Sequence, residues 1–314
     1  MAVYTHVHEE ELRGHLAEFE LGVLESFSGI TDGIENTNYL LQTACGKFIL
    51  TLFEKRIKPE DLPFCLSFME HLAKSGIPVA PVLRDRQGNA IVTLCGRPSV
   101  IAGFLEGEWP KSITSSHTAE LGGLIARMHT SGESFPLKMK NSLALTDWKR
   151  LIAACGEEAD AVEKGLFQGL MAEAIFLEKN LPRDLPRGAV HADIFPDNVF
   201  FKAGKISGVI DFYFSCTETF VYDLMLTLNA WCFDKQGIPD KEKTASLLAA
   251  YRRQRPLSSG EEAALPLFGR AAALRIVATR LYDWLHPAEG AIVKPKDPLE
   301  HVRILRFYQS GGRV

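Results

Sequence analysis

The chain has 314 residues, 46% of them hydrophobic, enough to fill the cores of two lobes or domains. Its formal net charge of −4 and sequence pI near 6.2 supply no basic field for nucleic acid or an anionic membrane, so a small molecule is the expected partner. Six cysteines (Cys45, Cys65, Cys95, Cys155, Cys216, Cys232) are scattered without a CxxC pair, which argues for reduced thiols over a disulfide frame or a zinc site.

The N-terminal residues hold no apolar run of signal-peptide type, and no later stretch is long and charge-free enough to span a membrane, so a soluble, cytoplasmic chain is expected. In chain order, residues 5–21 read as an amphipathic helix with Leu12, Leu16 and Phe19 on one face and Glu9, Glu10, Arg13 and Glu18 on the other. The His6-x-His8 pair has neither a third ligand nor an apolar shell near it in sequence, so no metal site is inferred there. Residues 24–27 and 39–43 read as strands joined by a turn over 28–38 that carries Gly29, Gly33, Asn36 and Asn38. Such a tip lets backbone N–H groups approach a phosphate, and it also suits a plain hairpin.

A third strand, 48–53, puts Lys47, Thr51 and Lys55 on one face, and a helix follows over 58–74 with Glu70 among Phe64, Phe68 and Leu72. Residues 76–83 must be extended because of Pro78 and Pro81, and 89–94 with 97–101 make a further strand pair. Ala102 to Gly107 then reads as a linker, with Gly103 and Gly107 giving it freedom to flex. A core-facing helix over 116–129, opened by Ser115 and Ser116 caps, ends on His129, to which we give a structural role. A polar loop is expected over 132–147 and a helix over 168–181, after which Pro182 and Pro186 lead the chain onward.

Residues 191–201, His-Ala-Asp-Ile-Phe-Pro-Asp-Asn-Val-Phe-Phe, read as a polar loop between short apolar strands, followed by a Gly204 turn, the strand 206–210 and Asp211-Phe212. Asp193, Asn198 and Asp211 stand out of an otherwise apolar segment. Phosphoryl transfer calls for a carboxylate to orient and deprotonate an attacking hydroxyl, and for an amide oxygen and a second carboxylate as hard ligands of magnesium on the nucleotide phosphates. Turn chemistry explains Asp197 but not Asp193 and Asp211 together. Beyond Phe212 the chain reads as helices over 217–233, 241–254, 259–285 and 298–308. The first sets Asp223, Thr227 and Asn229 among apolar residues, and the third does the same with Arg270, Arg275 and Arg280. Buried carboxylates and guanidiniums are costly unless paired, so these groups either pair with each other or receive a ligand.

The spacing His191-x-Asp193-x-x-x-x-Asn198, followed a strand later by Ile210-Asp211-Phe212, resembles the catalytic loop of small-molecule kinases of the aminoglycoside phosphotransferase and choline kinase superfamily. Ala192 stands where many protein kinases carry arginine, and Tyr213 where Asp-Phe-Gly has its glycine. The runs 46–56, 210–214, 222–224 and 229–234 are similar in particular to the bacterial homoserine kinases of that superfamily. The resemblance covers the chain in order. It implies an α+β, bilobal, protein-kinase-like fold, with a small antiparallel-sheet nucleotide-binding N-lobe over 1–103 and a mainly helical, catalytic and acceptor-binding C-lobe over 104–314. It further implies ATP and Mg2+ as cofactors and L-homoserine as the substrate, phosphorylated on its hydroxyl on the route to threonine.

Roles follow from the same resemblance. Asp193 is the expected base, His191 a brace of its loop, and Asn198 and Asp211 the magnesium ligands. Nucleotide contacts are expected from Gly29, Gly33, Asn36, Asn38, Lys47 and Thr51 and from the hinge residues Ile101, Gly103 and Phe104. Thr51 occupies the place of a mid-strand lysine, so Lys47 or Lys55 reaches in from a strand end, or magnesium and backbone amides carry that charge. For a zwitterionic acceptor, Arg275 or Arg280 would take the carboxylate, and Asp223 or the edge of Tyr213 and Asn229 the ammonium. An aminoglycoside, choline or another hydroxyl compound is the alternative acceptor, and a nucleotide-binding regulator without catalysis is the alternative of another class.

Overall fold

The computed structural model describes residues 4–30, 36–54, 57–287 and 295–314. The chain forms two compact units, Met1–Gly107 with Ser207–Tyr213, and Glu108–Ile206 with Phe214–Val314. The first unit thus runs to Gly107 rather than residue 103, and it takes back a segment that sequence order alone assigned to the second.

The first unit holds α1 (Glu9–Leu16), β1 (Leu24–Gly29), β2 (Thr37–Thr43), β3 (Gly46–Leu52), α2 (Leu62–Lys74), β4 (Val92–Leu94) and β5 (Arg97–Gly103). The strands form one antiparallel sheet in the order β1-β2-β3-β5-β4. Along β2, buried Thr37, Tyr39, Leu41 and Thr43 alternate with half-buried residues, the pattern of a sheet with one face on a core. Leu12 and Leu16 of α1 join Leu41, Leu50, Leu52 and Ile101 in that core. The helix is shorter than the expected 5–21. The N–H groups of Tyr4 and Thr5 donate to Thr37 Oγ1, and that of Val7 to Tyr39 Oη, so residues before His8 dock on the sheet in place of forming a first turn.

The second unit contributes α3 (Ser115–Glu133), α4 (Leu145–Cys155), α5 (Leu166–Asn180), β6 (Arg187–Val190) and β7 (Val199–Lys202), and β8 (Lys205–Val209) carries the chain into Ser207–Tyr213. It resumes with β9 (Cys216–Thr219), α6 (Phe220–Cys232), α7 (Lys241–Gln254), α8 (Ser259–Leu285) and α9 (Leu299–Gln309). Thr114, rather than Ser115 or Ser116, caps α3 by accepting from His117 N. The start of α4 falls inside the expected loop, with Trp148, Ile152 and Cys155 buried on one stripe. Residues 217–219, expected as the start of a helix, belong to β9 and pair antiparallel with β6 because Thr217 and Thr219 are β-branched and Met139 exchanges hydrogen bonds with Thr217. A Cβ on Gly132 would lie 2.0 Å from the Ala189 carbonyl, so only glycine lets α3 approach the strand that feeds His191.

Candidate active site

The loop after β6 begins with two buried residues, His191 and Ala192, and then brings the side chain of Asp193 to partial exposure, 16%. His191 Nδ1 accepts from Asp193 N at 3.2 Å. Asn198 Nδ2 donates to the Asp193 carbonyl at 2.9 Å, and a single 3₁₀ turn over Pro196–Asn198 closes the loop. The Ile194 carbonyl accepts from Trp231 Nε1 on α6 at 2.9 Å. These anchors act on the backbone, apart from a long 3.4 Å contact from Asn198 Nδ2 to Asp193 Oδ2, so the Asp193 carboxylate takes its position chiefly from elsewhere.

That position comes from α8. Arg275 Nη1 lies 3.1 Å from Asp193 Oδ1, and the guanidinium, 5% exposed, sits over the Phe214 ring at 5.4 Å. The sequence suggested Arg275 as a grip for an acceptor carboxylate; in the structure its Nη1 is engaged with the proposed base.

A second buried chain of polar groups holds the loop from behind. Asp223 Oδ1 accepts from Ala192 N at 2.7 Å, and its Oδ2 from His129 Nε2 at 2.9 Å. His129 Nδ1 lies 2.7 Å from Tyr251 Oη, which accepts from Arg255 Nη1, and Arg255 pairs with Glu261 at 2.8 Å. Burial holds the His129 pKa below its ordinary value against the pull of Asp223. The neutral ring therefore donates from Nε2 to the carboxylate and accepts at Nδ1 from the tyrosine. Ala192 has φ +62°, a left-handed conformation uncommon outside glycine, and the Asp223 contact is what holds it there.

Other polar residues of the apolar helices, among them those proposed for the acceptor, are committed inside the fold. Asp223 spends both oxygens on the loop and His129, so it is a brace. Asn229 donates to the Gly269 carbonyl and accepts from Tyr308 Oη, each at 2.9 Å. Arg280 pairs with Glu300 at 2.9 Å, and Arg270 forks onto Glu173 over Phe176.

In the first unit, Asp211 also has a positive φ, +64°. Beside it Phe212 is buried edge-on to Phe68, and Tyr213 packs edge-on to Phe53 at 4.7 Å. Burial raises the Tyr213 pKa, with Asp211 adding to the shift, so its hydroxyl stays neutral. Asn38 and Thr51 face each other across β2 and β3, and Thr51 Oγ1 donates to Asn38 Oδ1 at 2.7 Å. Asn36 Oδ1 accepts from Glu54 N, and Gly29 ends β1 opposite Tyr39. Gly33 and Lys55 lie outside the described residues. Lys47 is exposed, its ammonium 5.7 Å from the Phe104 ring centroid.

Three hinge groups expected to meet the adenine are engaged within the unit. The Ile101 carbonyl accepts from Leu83 N, Gly103 N donates to the Pro81 carbonyl, and Phe104 N to that of Lys47. Gly103 is required by packing, since a Cβ there would lie 2.7 Å from Pro81 Cγ. Glu70, expected as the partner of a nucleotide lysine, pairs with Arg84 at 2.5 Å on the outer face of α2.

Among known families, the model of a phosphotransferase enzyme family matches residues 26–257. This chain belongs to that family. It is similar along its length to a homoserine kinase of Rhodopseudomonas palustris, 50% identical over 99% of this chain and 95% of that one. A homoserine kinase of Paramagnetospirillum magneticum is 49% identical over 99% of this chain and 97% of its own. An amicoumacin kinase solved with AMP-PNP, Ca2+ and Ami shares the fold at a TM-score of 0.75 and 16% identity, over 96% of this chain and 93% of that one. A microcompartment-associated aminopropanol kinase does so at 0.72 and 20%, over 97% and 98%. The phosphotransferase described here therefore has the bilobal, protein-kinase-like fold, and it is a kinase whose acceptor is a hydroxyl group.

Proposed function

We propose that this phosphotransferase transfers the γ-phosphoryl group of ATP to the side-chain hydroxyl of L-homoserine, giving ADP and O-phospho-L-homoserine. The observation that carries the choice of acceptor is the half-identity to homoserine kinases over 99% of the chain. The chemistry is supported by the setting of Asp193, a half-buried carboxylate with Oδ1 fixed by Arg275. Its Oδ2, with a long 3.4 Å contact from Asn198, is the oxygen we assign to the acceptor hydroxyl. Asp193 orients that hydroxyl and takes its proton as the new oxygen–phosphorus bond forms and the bond to the leaving β-phosphate oxygen breaks.

Asn198 and Asp211 are assigned to magnesium. The donor set suits a hard cation: Asn198 spends its amide nitrogen on the Asp193 carbonyl, which turns its Oδ1 the other way, and Asp211 supplies a carboxylate. Magnesium held by these residues would supply charge neutralisation for the nucleotide phosphates. In the first unit, Asn38, Thr51 and Lys47 are the side chains we assign to the nucleotide.

The test is ADP release by the wild type with L-homoserine, serine, threonine, choline and kanamycin in turn. Release that depends on homoserine and exceeds that with the other acceptors is expected. A preference for kanamycin or choline overturns the acceptor, and release with none of them overturns the kinase assignment.

A further inference from the structure

His301 is the one residue of α9 whose polar atoms have no use in the fold as described. It is buried, 5% exposed, yet neither ring nitrogen has a hydrogen-bond partner among the described residues. A buried imidazole is ordinarily satisfied at one or both nitrogens, because each unpaired polar atom has given up its water for nothing.

The charges that act most on the ring are cations, each paired with a carboxylate. Arg275, Arg280 and Lys296 all act on the ring electrostatically, and together with burial they hold its pKa well below the ordinary value, so it is neutral with one N–H to donate. These cations also connect the ring to the loop that bears Asp193. Arg275 contacts Asp193 itself. Lys296 lies 3.3 Å from Asp197 Oδ2 and 5.7 Å from the centre of the Phe195 ring. Arg280 donates to the Asp297 carbonyl at 3.2 Å and pairs with Glu300, which pins the start of α9 to α8. The carboxylates present, Asp193, Asp197 and Glu300, are already paired one to each cation.

We infer that His301, with Arg275 and Lys296, forms the subsite that receives the carboxylate of an amino-acid acceptor, the imidazole N–H donating to it. This rests on the proposed function and adds a specificity-determining residue to it. The chemistry is that of an anion brought among cations beside an uncharged donor. A neutral N–H adds direction to the binding without adding a fourth charge that the cations would repel. The distance also suits a small acceptor, because homoserine separates its hydroxyl from its carboxylate by a short chain and Arg275 touches the base directly. An acceptor with an amine and a hydroxyl but no carboxylate would gain nothing from this subsite.

The experiment compares L-homoserine with L-homoserinol, in which the carboxylate is replaced by a hydroxymethyl group, for the wild type, His301→Phe and His301→Gln. His301→Phe keeps a ring at this buried position and removes both nitrogens, whereas His301→Gln restores an N–H donor. For His301→Phe, kcat/KM for homoserine is expected to fall about tenfold to a hundredfold, mainly through KM, while kcat/KM for homoserinol changes by less than about threefold. The preference for homoserine over homoserinol therefore collapses, and His301→Gln restores part of it. Binding of AMP-PNP, followed by calorimetry, stays at the wild-type value. An unchanged preference in both variants, with wild-type turnover of homoserine intact, overturns the subsite and leaves the proposed function standing. An equal fall for both acceptors also overturns it, because that pattern marks a residue that only supports the fold. A wild type without homoserine turnover overturns the function and the subsite together.

Discussion

The loop around Asp193 and the β2–β3 region of the first unit are held in different ways. Ala192 to Asn198 is tied by buried polar groups from three helices: Asp223 and Trp231 on α6, His129 on α3 through Asp223, and Arg275 on α8. Asn38 and Thr51 are placed by the sheet register and by a single hydrogen bond to each other. A proton acceptor must meet one atom at one distance, and a buried polar network gives that accuracy at high cost if any member is lost. Nucleotide phosphates are large and highly charged, so backbone and short polar side chains on a sheet can serve them. Disruption should therefore be severe in the first region and mild in the second.

The largest expected effect is on chemistry. Asp193→Asn keeps the shape and removes the base, so kcat with homoserine should fall by on the order of 10²–10⁴, with AMP-PNP binding retained. Turnover within a few-fold of wild type would place the base elsewhere. Asp223→Asn comes next, because it sets an amide N–H against either Ala192 N or His129 Nε2. Breaking one member of a buried pair costs about 3–5 kcal/mol. A lowered denaturation midpoint together with reduced kcat is expected, and a loss of activity without a loss of stability would contradict the bracing role.

Acid should separate the regions further. Burial holds His129 and His301 of the second unit, and His15 of the first, below the ordinary histidine value of 6.5. The unfolded chain then binds more protons than the folded one below pH 6.5, so stability is greatest above that pH and falls as the solution is acidified. Each such histidine contributes up to about 1.4 kcal/mol per pH unit in that range. Urea midpoints between pH 7.5 and 5.5 should decline for the wild type and decline less for His301→Phe; identical slopes would mean that His301 titrates normally. The smallest effect belongs to the sheet. Thr51→Val removes the bond to Asn38 and should cost about 0.5–1.5 kcal/mol, with a modest change in the KM for ATP.

What could be read from sequence divides along the same line. His191, Asp193 and Asn198 were legible because their spacing lies within one loop, and Asp211 followed one strand later. The long helices α7 and α8 were legible too, over the same residues that the structure gives them. The partner of Asp193 was not, because Arg275 stands 82 positions away and nothing local joins them. Asp223 and Asn229 were recognised as polar residues in an apolar helix, but their partners, Ala192 N, His129, Tyr308 and the Gly269 carbonyl, exist only once the helices pack. His301 gave no signal, since a single histidine on an amphipathic helix is ordinary until both nitrogens prove unpaired. At the N-terminus the helical pattern was real, but Thr37 and Tyr39 offered the first N–H groups better partners than a helical turn.

The most direct test is the identity of the product formed from ATP and L-homoserine, followed by phosphorus NMR correlated to protons and by mass. If Asp193 activates the side-chain hydroxyl, one phosphoryl group appears on that oxygen, in step with ADP. Inorganic phosphate accumulating with ADP, or a phosphoryl group on the carboxylate, would contradict it.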